Sequence, residues 1–235
     1  MIRTENLNIG HRSSLLQIEN LSLQKGNLYF LIGKNGSGKS TFLKTLSGQI
    51  KSISGELFLD DILSTTIHFG ELPKTVSFVS SHFPIVDFLK VEDFISLGRS
   101  YHTSYFGIVK SIDNHVISDI IIKLKIKHLI GRFTSDLSDG ERQLVAIAKA
   151  LVQETPIILL DEPTAFLDYS NKKLVLETLK KICADMNKCI ILSSHDIDMS
   201  LEMNCPFLVI DSKSKKLQLF SSNTKKKELL LLAFD

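Results

Sequence analysis

The feature that most constrains this chain is an apolar pentapeptide that runs straight into a glycine-rich loop. Leu28-Tyr29-Phe30-Leu31-Ile32 is apolar without alternation, the pattern of a strand buried on both faces of a sheet. Gly33-Lys34-Asn35-Gly36-Ser37-Gly38-Lys39-Ser40 follows at once and fits the G-x-x-x-x-G-K-[ST] spacing. Gly33, Gly36 and Gly38 let the backbone turn with its N–H groups facing inward. The helix predicted from about Lys39 to Ser47 points its positive end at the same place. Such a loop holds polyphosphate oxygens. Lys39 puts a point charge on the terminal phosphates, the Ser40 hydroxyl suits Mg²⁺, and Thr41 donates on the α-phosphate side.

A second apolar run, Ile157-Ile158-Leu159-Leu160, ends in Asp161 and Glu162. Two carboxylates at a buried strand end pay a desolvation cost and need a partner, which a magnesium–nucleotide complex supplies. Asp161 is expected to hold the metal, directly or through water. Glu162 is expected to polarise an attacking water as general base.

Composition narrows the setting. The 235 residues are 43% hydrophobic and 23% charged with a net charge of +2, so the chain reads as globular, and no basic field points to nucleic acid. Its 3 cysteines, Cys183, Cys189 and Cys205, lack metal-ligand spacing and suggest a reducing compartment. The opening MIRTENLNIG has no apolar signal core, and no apolar run approaches the ~20 residues needed to span a bilayer. Any membrane role is expected to be peripheral.

Along the chain, residues 1–32 read as extended segments with polar turns, and Ser54–Asp61 and Thr75–Val79 as further strands. Val91–Leu97 and Ile112–Ile126 carry helical spacing, so the stretch from about 82 to 150 reads as a mainly helical insertion. Ile190–Leu192 is another buried strand, and Asn171–Met186 an amphipathic helix. Alternating strands and helices imply an α/β core. The polar, Lys-rich 221–227 reads as a solvated face, and Leu229–Phe234 as a segment that packs on the domain or a partner.

Between the two motifs lies Leu137-Ser138-Asp139-Gly140-Glu141-Arg142-Gln143. It resembles the LSGGQ-type signature of ABC ATPases, with Asp and Glu at its third and fifth positions. Pro163-Thr164-Ala165-Phe166-Leu167-Asp168 resembles that family's D-loop, and Ser193-Ser194-His195-Asp196 its switch histidine. The resemblance spans nearly the whole chain. It implies an α/β fold: a P-loop NTPase core of the ABC ATPase type with an antiparallel β subdomain and an inserted helical subdomain, all in one domain, 1–235. It also implies an ATPase that binds ATP and Mg²⁺. Two copies would sandwich two nucleotides, with Ser138 and Gly140 of one chain closing on the γ-phosphate held by the other. Asp168 would reach across the same interface, and His195 would contact the γ-phosphate.

Two positions depart from that pattern. His11 stands where the family usually stacks an aromatic residue, often Tyr, on adenine. Ser81 stands where it has the Gln of its Q-loop. Val91–Arg99 and the stretch from Tyr101 to Gly107 resemble the importer ATPases that serve iron–siderophore, haem and cobalamin uptake. That resemblance implies polytopic permease partners, an extracytoplasmic substrate-binding protein acting indirectly, and a place on the cytoplasmic face of the inner membrane. The alternatives are a non-transport ABC ATPase of the iron–sulfur assembly type, or the motor of another importer or an exporter. A translation-associated type needs two cassettes, and this chain has room for one. A weak nucleotide-binding regulator has only Ser81 in its favour, against Glu162 and His195.

Overall fold

The computed structural model describes residues 1–68, 70–81, 87–102 and 111–234. Of the expected importer-like stretch, residues 103–107 lie outside them, as does the expected start of the helical insertion at 82.

In chain order the elements are β1 (Ile2–Gly10), β2 (Ser14–Ile18), β3 (Leu21–Leu23), β4 (Leu28–Ile32), α1 (Lys39–Leu46), β5 (Ser54–Leu59) and β6 (Ile62–Leu63). Then come α2 (Leu72–Thr75), β7 (Val76–Val79), α3 (Val91–Ser96), α4 (Ser111–Lys123), α5 (Asp139–Val152), β8 (Ile157–Leu160) and α6 (Tyr169–Met186). The chain closes with β9 (Cys189–Ser193), α7 (Ile197–Glu202), β10 (Phe207–Ile210), β11 (Leu217–Phe220) and α8 (Lys226–Phe234).

Two sheets form. β1 pairs antiparallel with β2, β3 and β5, and β6 extends the sheet beyond β5. Where β1 bulges, Gly55 takes φ +80°, and a Cβ there would lie 2.2 Å from the Asn6 carbonyl oxygen, so only glycine fits. The second sheet has the order β11-β10-β4-β9-β8-β7 and is parallel except for the edge strand β11. Its central strands have no polar face. Alternate residues serve two separate cores: Ile158, Leu160, Ile190, Leu192, Phe30 and Ile32 face the helices, while Ile157, Leu159, Ile191, Leu31 and Tyr29 face α1 and the antiparallel sheet. Burying each such side chain contributes about 1.5–3 kcal/mol, which is why unbroken apolar runs of four or five residues fold as central strands here.

The helical region, α3 to α5, shares the first of these cores. α4 ends at Lys123 rather than Ile126, because Lys125 takes φ 55° and the Ile126 N–H donates back to the Ile121 carbonyl, a left-handed C-terminal closure. At the C-terminus α8 buries Leu229 and Ala233 fully, so the Leu-rich end does pack on the domain, while Leu231 stays exposed. Lys226 of the basic run pairs with Asp198.

One buried ion cluster ties the helical region to the core. The Arg99 side chain is 4% exposed; its Nε donates to Asp113 Oδ1 (2.8 Å) and its Nη1 to the Val152 carbonyl (2.7 Å) and Glu154 Oε2 (2.6 Å). Beside it, Gly98 lets the chain approach α5 so closely that a Cβ would sit 2.3 Å from the Lys149 carbonyl oxygen. Removing one partner from such a cluster leaves a charge in low dielectric. Arg99→Met, which leaves the buried Asp113 without this guanidinium, is expected to lower the unfolding free energy by about 3–5 kcal/mol. Urea unfolding of the purified chain measures this, and a loss under about 1 kcal/mol would mean the cluster contributes little.

Candidate functional site

The four parallel strands β7, β8, β9 and β4 end level with one another. Val79 lies abreast of Leu160, Leu160 abreast of Leu192, and Leu31 abreast of Ser193. Whatever follows each strand therefore emerges along one edge, the usual place for a ligand on a parallel sheet. The residues that follow are Ser80 and Ser81, Asp161 and Glu162, Ser194 and His195, and the glycine loop.

The loop turns as its glycines allow. Gly36 has φ 76° and Gly38 φ 108°, and Gly38 sits at the start of α1. At Gly33 a Cβ would lie 2.7 Å from the Ser37 hydroxyl, so the close turn needs glycine there. The buried Lys39 ammonium donates to the carbonyls of Gly33 (2.7 Å) and Lys34 (3.1 Å). Burial pushes its pKa below the ordinary lysine value, opposed by the nearby negative charges of Glu162 and Asp161. A cavity of about 520 Å³ opens over the loop, lined by Asn35, Gly36, Gly38, Lys39, Ser40, Thr41, Ser81, Glu162, Ala165, Phe166, His195 and Leu15. His11 is exposed on the turn between β1 and β2 and does not line this cavity; Leu15 of β2 occupies that wall.

Asp161 is 3% exposed, and its Oδ1 accepts from the Ser193 hydroxyl at 2.7 Å. The same Ser193 oxygen accepts the Glu162 N–H at 2.8 Å. One hydroxyl thus fixes both acids. The second bond matters because Glu162 has φ 51°, a left-handed backbone that costs a non-glycine residue roughly 1–2 kcal/mol. The strained turn aims the Glu162 carboxylate into the cavity, where its Oε1 meets His195 Nε2 at 2.5 Å. Ser193 is the site residue that motif reading passes over as a mere neighbour of His195. Its signal is positional: a small hydroxyl ending the strand next to the acidic one.

The signature residues stand elsewhere. Ser138 caps α5 in a reciprocal box: its Oγ accepts the Glu141 N–H at 3.3 Å, and Glu141 Oε2 accepts the Ser138 N–H at 2.8 Å. Gly140 packs against the D-loop, where a Cβ would lie 2.9 Å from the Phe166 carbonyl oxygen. Asp168 caps α6 through the Asn171 N–H at 2.8 Å. Ser138, Gly140 and Asp168 line a second cavity that shares only Phe166 with the first. The structure thus gathers Lys39, Ser40, Thr41, Glu162 and His195 in one place, and Ser138, Gly140 and Asp168 in another.

A glycine-rich loop with a buried lysine, an acid pair at the end of a nearby strand and a separate capped helix N-terminus define a P-loop NTPase of cassette type. Comparison with known proteins gives the family. The ABC transporter family profile matches residues 16–165. Its relatives include an iron(3+)-hydroxamate import ATP-binding protein of Bacillus subtilis and a petrobactin import ATP-binding protein of Bacillus anthracis.

 The Bacillus subtilis protein is 32% identical over 198 residues, covering 84% of this chain and 74% of its own length. The Bacillus anthracis protein is 32% identical over 204 residues, covering 86% of this chain and 74% of its own length. A molybdate import ATP-binding protein of Haemophilus influenzae is 32% identical over 217 residues, covering 92% of this chain and 81% of its own length. Among solved structures, a chain of a transporter described as of metal-chelate type, in an inward-facing conformation, superposes with a TM-score of 0.81 at 28% identity, covering 98% of this chain and 88% of that one. The chain belongs to the ABC transporter family: it is an ABC-type ATPase, the ATP-binding subunit of a transporter.

Two outcomes test the site. Lys39→Ala removes the buried cation from the phosphates, and steady-state phosphate release is expected to fall by at least about 10²-fold, since contacts of this kind carry several kcal/mol of transition-state stabilisation. A near wild-type rate would show that the loop is not the catalytic one. Ser193→Ala frees both acids from their shared hydroxyl. It is expected to lower kcat roughly tenfold while changing ATP affinity less, a loss on the scale of one hydrogen bond to a charged group. An unchanged kcat would mean that Glu162 holds its strained turn without Ser193.

Proposed function

We propose that this chain is the ATP-hydrolysing motor of an importer for a metal chelate of the iron–siderophore, haem or cobalamin kind. The observation that carries this reading is the 98% coverage by a metal-chelate type transporter chain, supported by the iron(3+)-hydroxamate and petrobactin import relatives. The molybdate import relative, equally identical, supports a second reading in which the cargo is an oxyanion. Uptake by membrane vesicles carrying the chain and its permease tests both: accumulation of labelled iron–siderophore supports the first, and accumulation of molybdate alone would replace it with the second. Among the described residues no helix is long and apolar enough to cross a membrane. Permease subunits would therefore carry the cargo, with this chain docked on them from the cytoplasmic side and a substrate-binding protein acting on the far side.

In this reading Gly33, Lys34, Asn35, Gly36, Ser37, Gly38, Lys39 and Thr41 cradle the phosphates, with Leu15 rather than His11 offering the base an apolar contact. The donor set near Lys39 fits Mg²⁺: the Ser40 hydroxyl and the Asp161 carboxylate are hard oxygens, and this ion is commonly held by one or two protein ligands plus phosphates. Bound there, it would neutralise charge on the β- and γ-phosphates. Glu162 takes the proton of the attacking water, and His195, in contact with that carboxylate, orients it and faces the γ-phosphate. Ser81 stands in the same cavity and is shorter than a glutamine, so its contact with the water runs through a bridging water.

The separation of the two cavities supports a nucleotide sandwich between two chains, in which the helix N-terminus at Ser138 of one copy meets the γ-phosphate on the loop of the other. Glu162→Gln keeps the shape of the base but cannot accept a proton. The variant is expected to bind ATP without hydrolysing it and to form an ATP-dependent dimer, read by light scattering at several concentrations. ATP binding with no dimer at any concentration would contradict the sandwich.

A further inference from the structure

A helix N-terminus that receives a phosphate should be short of negative charge, yet α5 carries two carboxylates, Asp139 and Glu141, in its first turn. Each is matched by an arginine. Arg142, one turn on in the same helix, holds Asp139 Oδ1 at 2.5 Å and donates to the Leu137 carbonyl. Arg132 comes from the loop ahead of the helix. Its Nη1 donates to Glu141 Oε1 at 2.8 Å and its Nη2 to the Asp136 carbonyl at 2.6 Å. The guanidinium is thus braced on the loop backbone while it grips the helix carboxylate. The other oxygen of Glu141, Oε2, accepts both the N–H (2.8 Å) and the hydroxyl (2.9 Å) of Ser138. Those are the two donors that an incoming phosphate needs.

We propose that Arg132 is a positioning residue of the signature: it holds the Glu141 carboxylate by Oε1 and neutralises it, so that the Ser138 donors can pass from Glu141 Oε2 to the γ-phosphate of the partner's nucleotide. This rests on the sandwich reading above. Without Arg132 the carboxylate keeps the Ser138 donors and stands unneutralised where the phosphate must arrive. The Ser138 N–H, more than Arg132, lowers the Glu141 pKa, so the group stays ionised at neutral pH and cannot escape the conflict by protonation. Arg132 and Glu141 are nine residues apart, on either side of the 3-10 turn at Thr134–Asp136, so the pairing depends on the loop fold and not on helix spacing.

The test uses the full chain in the Glu162→Gln background, with ATP and Mg²⁺ and light scattering as readout. Adding Arg132→Met is expected to weaken the dimer by about tenfold, as an unmatched like charge at an interface does. Adding Glu141→Gln as well removes the charge, keeps an acceptor for the cap, and is expected to restore the dimer to within about threefold of the parent. A merely structural role for Arg132, bracing the Asp136 carbonyl, would not be rescued by that change. Glu141→Gln alone should dimerise at least as tightly as the parent. Binding of a fluorescent ATP analogue to the single chain should be the same in all four proteins, because the phosphate loop is in the other cavity. An Arg132→Met protein that dimerises like the parent, or a double variant as weak as Arg132→Met, would overturn the inference while leaving the sandwich intact. A parent that does not dimerise would overturn both.

Discussion

The site depends on one constraint: four buried parallel strands must end at the same height. Apart from the buried Ser77 of β7 and the terminal Ser193 of β9, the strands β7, β8, β9 and β4 carry apolar side chains on both faces, so their register is set by interleaved apolar side chains on both sides, and a slip in any strand would move its set out of both cores. That rigidity delivers the groups after each strand to one edge. It also explains how a buried carboxylate is tolerated. Asp161 emerges beside the last residue of β9, where the Ser193 hydroxyl is waiting for it, and the same oxygen holds the Glu162 N–H. The left-handed turn at Glu162 is thereby held from the sheet as well as by the loop that follows, where the Ala165 N–H donates to the Glu162 carbonyl.

Much of this was legible in the sequence because the relevant signals are local. A run such as Ile157–Leu160 allows little besides a central strand, and the glycine loop carries its own backbone chemistry. The acid pair, the signature and His195 are readable by order along the chain. What escaped was whatever depends on neighbours brought together by folding. Ser193 acquires its role only once β9 lies beside β8. His11, placed before the loop in sequence, is exposed on the hairpin turn, while Leu15 lines the cavity. Arg99 reads as the end of an amphipathic segment, yet it is buried against Asp113, fourteen residues on, and against the end of α5. The apolar spacing runs three residues past the end of α4, because Leu124 and Ile126 continue it while the backbone turns left-handed at Lys125.

The two cavities divide the chemistry in a way that suits a motor. The phosphate loop, Glu162 and His195 share one rigid edge, whereas Ser138, Gly140 and Asp168 belong to helix ends that meet around the D-loop. Phe166 borders both, and its carbonyl is the group that keeps Gly140 free of a side chain. A displacement of the D-loop would therefore be felt at the signature helix and at the catalytic edge together. The Arg99 cluster sits at the opposite end of α5 from Ser138, so the helix is anchored at its C-terminal end, away from its capped end.

The charges at that capped end bear on reversibility. A capping box contributes about 1 kcal/mol, and a hydrogen bond to a charged acceptor about 1.5–3 kcal/mol. Passing the Ser138 donors from Glu141 to a γ-phosphate therefore exchanges interactions of similar size. In the proposed sandwich, closure would gain little from this contact alone, and loss of the γ-phosphate would let Glu141 take the donors back. A signature with no internal acceptor would leave the helix end open in the separated chain and would have to break its phosphate contacts with no compensating bond. In the proposed sandwich the acidic residues Asp139 and Glu141, each matched by an arginine, would thus give the helix end two satisfied states, one within the chain and one across the dimer.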